Sequence, residues 1–265
     1  MNLSSAPPSA VRSERFGRVL RLTIDAPAAR NALSAPGVLP GLLQGLDTLE
    51  QDDALHCAVI TGAGGAFCSG GDLRQLAAGN EDSVRAAMRR NAWLYRRIAL
   101  SDKLLIAAVD GPAFGAGLGL AAACDLVVAG PTARFCCAFV RVGAMPDAAL
   151  FWSLPARVGI GQARRMMLLA DELDAAQALE CGLADQRAAA GTTAVAEAMV
   201  LAQRLADGPQ RAHGRIKSGL RQAPMDLEQA LDYQLDNAPG LFASPDFHEG
   251  AAAFFEKRAP RFGQR

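Results

Sequence analysis

The sequence carries no excess charge of either sign. Across 265 residues, 27 Lys and Arg balance 27 Asp and Glu, so the formal net charge is zero. That balance excludes long-range attraction for nucleic acid or an anionic membrane, and leaves open a local basic patch facing an anionic small molecule. Long apolar runs are missing as well. A bilayer span needs roughly 18 uncharged apolar residues, and the longest candidate, 104–126, is broken by Asp110, Gly111, Pro112 and Asp125. Lysine is scarce, with only Lys103, Lys217 and Lys257. The six cysteines form no C-x-x-C pair and sit in apolar runs, so they read as buried free thiols of a reducing compartment. His56, His213 and His248 are scattered, which removes the basis for a His-ligated metal site. Residues 1–10 are Ser/Pro-rich without a basic stretch leading into an apolar one, and read as a loose tail. The expectation is a cytoplasmic protein without nucleic-acid or membrane partners.

What is present is the composition of a folded domain, 51% apolar and 20% charged. Val19–Ile24 alternates as a strand, and helical spacing runs from Pro36 to about Glu50. Cys57–Thr61, Leu104–Val109, Leu126–Ala129 and Ala133–Ala138 follow as strands, with helices at Glu81–Leu100 and Gly115–Cys124 between them. From Ala148 onward the pattern is helical only. Strands alternating with helices and then helices alone imply an α/β core over 11–200 and a helical region over 201–265.

Two glycine-rich segments each follow a strand. The first is Thr61-Gly62-Ala63-Gly64-Gly65-Ala66-Phe67-Cys68-Ser69-Gly70-Gly71-Asp72-Leu73, and the second is Asp110-Gly111-Pro112-Ala113-Phe114-Gly115-Ala116-Gly117-Leu118-Gly119. Neither contains the Lys of a phosphate-binding P-loop. Neither completes G-x-G-x-x-G, because Phe67 and Leu120 stand at the third glycine position. One such loop reads equally well as a tight turn. Two together can aim two unpaired backbone N–H groups at one oxyanion.

With these segments in hand, the sequence resembles the enoyl-CoA hydratase/isomerase (crotonase) superfamily. The resemblance rests on Arg30-Asn31-Ala32-Leu33-Ser34, on Ala66 to Leu73, on Asp110 to Gly117 leading to Cys124-Asp125-Leu126, and on Phe254-Phe255-Glu256-Lys257-Arg258-Ala259-Pro260-Arg261-Phe262. It implies a crotonase-like α/β spiral of ββα units with a helical C-terminal trimerisation region, hence a homotrimer or dimer of trimers. It implies an acyl-CoA thioester substrate, coenzyme A being part of that substrate and no separate cofactor. It places oxyanion-hole N–H groups at Gly71 and Ala116, and coenzyme A beside Arg30, Ala32, Ser69, Gly70, Asp72 and Leu73. Phe255 and Lys257 would complete the site of an adjacent subunit. For Lys257 a solvated surface charge is an equal reading.

The reaction depends on the acids and bases opposite the oxyanion hole. The hydratases that this sequence resembles use two glutamates, and the matching positions here are Gly119 and Phe139. Hydration by that route is therefore disfavoured. The remaining carboxylate is Asp147, in Val142-Gly143-Ala144-Met145-Pro146-Asp147-Ala148-Ala149. An Asp there resembles the base of the double-bond isomerases. The competing reading makes it the N-cap of a helix starting at Ala148, a position that would also lower its pKa. Phe114, Phe139, Met145, Phe151 and Trp152 are candidates for the acyl pocket, with core packing the leading reading for each. Cys68 has nothing beside it to activate its thiol. An isomerase leads; a hydratase, an aryl-CoA dehalogenase and an inactive acyl-CoA-binding paralogue remain as alternatives.

Overall fold

The computed structural model describes residues 9–263. Residues 1–8 of the expected tail lie outside them, whereas Ser9 and Ala10 are tied down, Ala10 N–H donating to Gly37 O at 3.3 Å.

The chain opens with an antiparallel hairpin, β1 (Val11–Phe16) and β2 (Val19–Ile24), in which Val11 faces Ile24 and Phe16 faces Val19. Helix α1 (Val38–Gln51) returns the chain to β3 (Cys57–Gly62), parallel to β2. Two helices, α2 (Leu73–Ala78) and α3 (Glu81–Leu100), then lead to β4 (Leu104–Val109). After β4 come β5 (Pro112–Phe114), α4 (Ala116–Ala123), β6 (Leu126–Ala129) and β7 (Arg134–Cys136). The second half holds α5 (Leu150–Leu169), β8 (Leu173–Asp174), α6 (Ala175–Glu180) and β9 (Gln186–Arg187). Four helices finish the chain: α7 (Ala194–Ala206), α8 (Gln210–Arg221), α9 (Leu227–Phe242) and α10 (Pro245–Phe255). The larger sheet runs β1-β2-β3-β4-β6-β9, parallel beyond the hairpin, and the smaller runs β5-β7-β8.

Both faces of the large sheet are covered at its centre, which is why β4 and β6 are apolar at every position and β3 nearly so. On β3, Ala58 and Ile60 face the main core with Leu42, Leu46 and Leu49 of α1, all fully buried. Cys57 and Val59 face the other way, against Ala194, Ala198, Ala202 and Ala206 of α7. Alanine at every fourth position gives α7 a smooth stripe that lies flat on the strands. Helix α7 runs through residue 200, so its last turns continue the layer that covers the sheet.

Three expectations are corrected. Strand β1 was not anticipated, because its pattern is that of an exposed edge with one buried residue. The second half is not helical throughout: β8 pairs with β7 and β9 with β6. Helix α5 starts at Leu150, after Ala148 and Ala149 with positive φ of 55° and 58°. Among the described residues no helix is long and apolar enough to cross a membrane.

Two of the three lysines hold the fold. Lys103 donates to the carbonyls of Leu49 and Asp52, ending α1 against the start of β4. Lys217 on α8 reaches Asp125 at 2.8 Å and Lys103 O at 3.0 Å, with its side chain 7% exposed. Asp125 also accepts the Leu105 N–H at 2.8 Å, so this one carboxylate joins α8, β4 and the end of α4. Removing one member of a buried pair strands the other. Lys217→Ala is expected to cost about 3–5 kcal/mol in equilibrium urea unfolding; a cost below about 1 kcal/mol would show that the pair is effectively solvated.

Candidate active site

The two glycine segments meet because the first is drawn across the second. Cys68 forms an isolated parallel bridge with Ala113, its N–H donating to Pro112 O and its carbonyl accepting from Phe114 N–H, both at 3.0 Å. Gly70 follows with φ +94°, and a Cβ there would stand 2.8 Å from Phe114 O and 3.0 Å from Ala116 N. Only glycine brings the chain that close. Ala116 is the first residue of α4, so its N–H has no acceptor within the helix. Among the described residues neither the Gly71 nor the Ala116 N–H donates to any acceptor. Two unpaired donors thus lie on adjoining segments: Gly71 is exposed and lies off the cavity described below, whereas Ala116 lines it.

The Arg30 segment is fastened to the same loop. Asn31 is fully buried; its Oδ1 accepts from Ala26 N–H at 2.9 Å, and its Nδ2 donates to Ala63 O and Ala66 O at 2.8 and 2.6 Å. Leu33 N–H donates to Gly70 O at 2.7 Å, Ser69 N–H to Arg30 O at 3.0 Å, and Asp72 N–H to Ser34 Oγ at 2.8 Å. Arg30, Ala32, Ser69, Gly70, Asp72 and Leu73 are therefore neighbours. Ala32 is buried, while Arg30 and Leu73 are exposed. The Asp72 carboxylate accepts from Arg74 N–H at 2.8 Å and caps α2.

Asp147 stands on the wall of a cavity of about 840 Å³ that also includes Ala116, Tyr95, Met145, Phe151 and Trp152. Its Oδ1 is buried without a hydrogen-bond partner among the described residues. Burial raises its pKa above the ordinary carboxylate value. This corrects the capping expectation. The cap position of α5 is Ala149, and Asp147 takes part only through its carbonyl, which accepts Leu150 N–H at 3.0 Å. The core reading fails for Met145, Phe151 and Trp152, which are 70%, 60% and 44% exposed and line the cavity. Phe114 and Phe139 are not on that wall; the Phe139 ring packs over Gly115, 3.8 Å from where a Cβ would stand. Cys68 is wholly buried with its thiol pushed up to about 12, as packing requires.

Gly119 shows why no glutamate stands after the second donor. A Cβ there would lie 2.4 Å from Ala148 O and 2.5 Å from Ala148 Cβ. The absent side chain lets the Asp147 loop rest directly on α4. Gly119→Glu is therefore expected to displace that loop and to lower stability by about 1–3 kcal/mol, read by urea unfolding, without creating hydratase activity. A stable Gly119→Glu protein that hydrates crotonyl-CoA would contradict this account of the packing.

One residue of the site was not singled out in the sequence. Tyr95 lies in the buried stripe of α3 with Leu94 and Ile98, and its hydroxyl donates to Ala116 O at 3.1 Å. Burial raises its pKa, with Cys68 and Asp147 adding to the shift, so the group remains a donor. A tyrosine in an apolar helical stripe implies a buried hydrogen-bond partner, which was the available signal. Phe255 is 79% exposed at the end of α10 and Lys257 is exposed with φ +54°; neither reaches this cavity within its own chain.

An unpaired Ala116 N–H and a buried, unpartnered Asp147 Oδ1 thus share one cavity, with the unpaired Gly71 N–H on the adjoining loop. The model of the family described as enoyl-CoA hydratase/isomerase matches residues 14–265, and the chain belongs to that family. It is 37% identical over 252 residues to 2,3-dehydroadipyl-CoA hydratase of Escherichia coli, covering 95% of this chain and 97% of that one. It is 35% identical to 1,2-epoxyphenylacetyl-CoA isomerase of the same organism, covering 92% and 94%. An enoyl-CoA hydratase structure from Polaromonas sp. superimposes with a TM-score of 0.89 at 33% identity, over 96% of this chain and 99% of that one. The fold is thus crotonase-like, and the chain is an acyl-CoA-processing enzyme.

Proposed function

We propose that this enzyme moves a carbon–carbon double bond in an acyl-CoA, with Asp147 as the proton carrier. The observation that carries the reading is the Asp147 carboxylate, unpartnered on the wall it shares with Ala116, while Gly119 and Phe139 leave no other carboxylate nearby. The thioester oxygen accepts hydrogen bonds from the N–H groups of Gly71 and Ala116. With a 3-enoyl-CoA, Asp147 takes a proton from C2, which is both allylic and α to the thioester, and the C–H electron pair moves into the carbonyl, giving a dienolate oxyanion conjugated with the C3–C4 double bond. Asp147 then returns the proton at C4 as the carbonyl re-forms and the double bond settles between C2 and C3. No oxidant or reductant enters, and coenzyme A belongs to the substrate, so the step balances without a further cofactor.

Coenzyme A would lie along Arg30, Ala32, Ser69, Gly70, Asp72 and Leu73, with Phe139 beside the thioester. Phe255 and Lys257, exposed and off the wall of their own cavity, would serve an adjacent copy in a homotrimer or dimer of trimers. A base must be ionised to act, and burial lifts this one. As pH falls, kcat/KM for a 3-enoyl-CoA is expected to decline through an acidic limb centred above the ordinary Asp value of about 3.9. A profile flat down to about pH 4 would remove Asp147 from the role.

A further inference from the structure

The cavity that holds Asp147 is edged by four guanidinium groups, Arg85, Arg89 and Arg96 from α3 and Arg221 from α8. On α3 these positions share one stripe, whereas Arg97 turns away and is held by Asp47 and Glu50 of α1 at 2.5 and 2.8 Å. Arg85 pairs with Glu81 one turn earlier. Arg89, Arg96 and Arg221 face no carboxylate partner among the described residues, the one side-chain bond of Arg221 being to Ser218 Oγ at 3.4 Å. Among the described residues Asp147 is the only carboxylate on the wall, and the remaining surface includes Met88, Ala92, Leu100, Phe151 and Trp152. A chain with zero net charge has therefore placed a local positive cluster on a largely apolar cavity.

The arrangement has two ends. Tyr95 marks the reacting end through its bond to Ala116 O. Arg89 and Arg85 lie six and ten residues earlier on the same helix, about 9 and 15 Å of axial rise away. Burial alone raises the Asp147 pKa, and no guanidinium offsets it, which agrees with that separation. Arg89 is exposed and Arg221 half-buried, so a plain alkyl end would gain no polar contact from either. A carboxylate offers them charge-assisted and bidentate hydrogen bonds, strengthened by the apolar walls.

We propose that the enzyme prefers acyl-CoA substrates whose acyl group ends in a carboxylate, held by Arg89 and Arg221; Arg96 stands beside Tyr95 at the reacting end, its guanidinium 6.0 Å from the Trp93 ring centroid. The inference rests on the thioester being held at Gly71 and Ala116. Its test needs no turnover: the affinities of adipyl-CoA and hexanoyl-CoA, equal in carbon number and both unable to isomerise, are measured by calorimetry. The wild-type protein is expected to bind adipyl-CoA about tenfold more tightly, the scale of one hydrogen bond to a charged group. In Arg89→Ala/Arg221→Ala that ratio is expected to fall to about one. Equal wild-type affinities would overturn the proposal. So would a variant that loses both ligands alike, since the arginines would then serve the phosphates of coenzyme A. If neither thioester binds, the acyl-CoA reading fails and this inference fails with it; if the ratio holds but no 3-enoyl-CoA is isomerised, only the proton-transfer reading fails.

Discussion

Asp147→Asn is expected to lower kcat for isomerisation of a 3-enoyl-CoA by about 10²–10⁴-fold, the usual contribution of a positioned general base. The amide keeps the shape of the carboxyl, so acyl-CoA affinity measured by calorimetry should change little. The same substitution should stabilise the folded protein. Asp147 buries an oxygen without a partner, and its pKa is higher folded than unfolded. Folding therefore favours the protonated form: the carboxyl costs nothing below the unfolded pKa, and its cost grows as pH rises through the folded value. At pH 7 the Asn variant should gain about 1 kcal/mol, or roughly 2–4 °C in Tm, and at about pH 4 the gain should shrink. A variant that is more stable yet inactive shows a charge kept for chemistry. Unchanged turnover would dismiss Asp147 as the base.

Gly70→Ala is expected to reduce kcat by about 10²–10³-fold, the loss that follows when one oxyanion donor is displaced. The added methyl would stand 3.0 Å from Ala116 N and 2.8 Å from Phe114 O, at a backbone φ of +94° that an L side chain resists. Both strain and crowding push the two donors apart. Gly65 separates these effects, since its φ is +79° with no atom within 4 Å of a Cβ. Gly65→Ala should lose stability from backbone strain but keep its turnover per folded molecule. Equal loss of kcat in both variants would mean that loop strain, and not the donor pair, sets the rate.

Much of the site could be read before the fold, and the exceptions have physical reasons. The glycine segments announced themselves because so close an approach of two loops needs a residue without a Cβ, and the structure sets Gly70 against Ala116. Helix α3 and strand β4 lie where their patterns put them, the helix opened by Asn80, whose side chain accepts from Ser83 N–H. Strands β8 and β9 are two residues each and exist through their pairing with β7 and β6, which no local pattern encodes. The state of Asp147 was read with the wrong sign. Ala148 and Ala149 take left-handed conformations that the alanine side chain does not predict, so the helix begins later and the carboxylate turns into the cavity. Tyr95 was hidden for another reason: its stripe reads as core, and only the fold shows that its hydroxyl meets Ala116 O. Phe255 and Lys257 lie on a surface of their own chain, so one chain does not bring them to a site.

The most direct measurement sets two substrates against the wild-type enzyme in one assay of enoyl-thioester absorbance. With Asp147 as a single proton carrier and no second carboxylate to position water, 3-hexenoyl-CoA should gain the conjugated enoyl band while crotonyl-CoA keeps it unchanged. Rapid loss of the band from crotonyl-CoA, with no gain from 3-hexenoyl-CoA, would contradict the account and make the enzyme a hydratase.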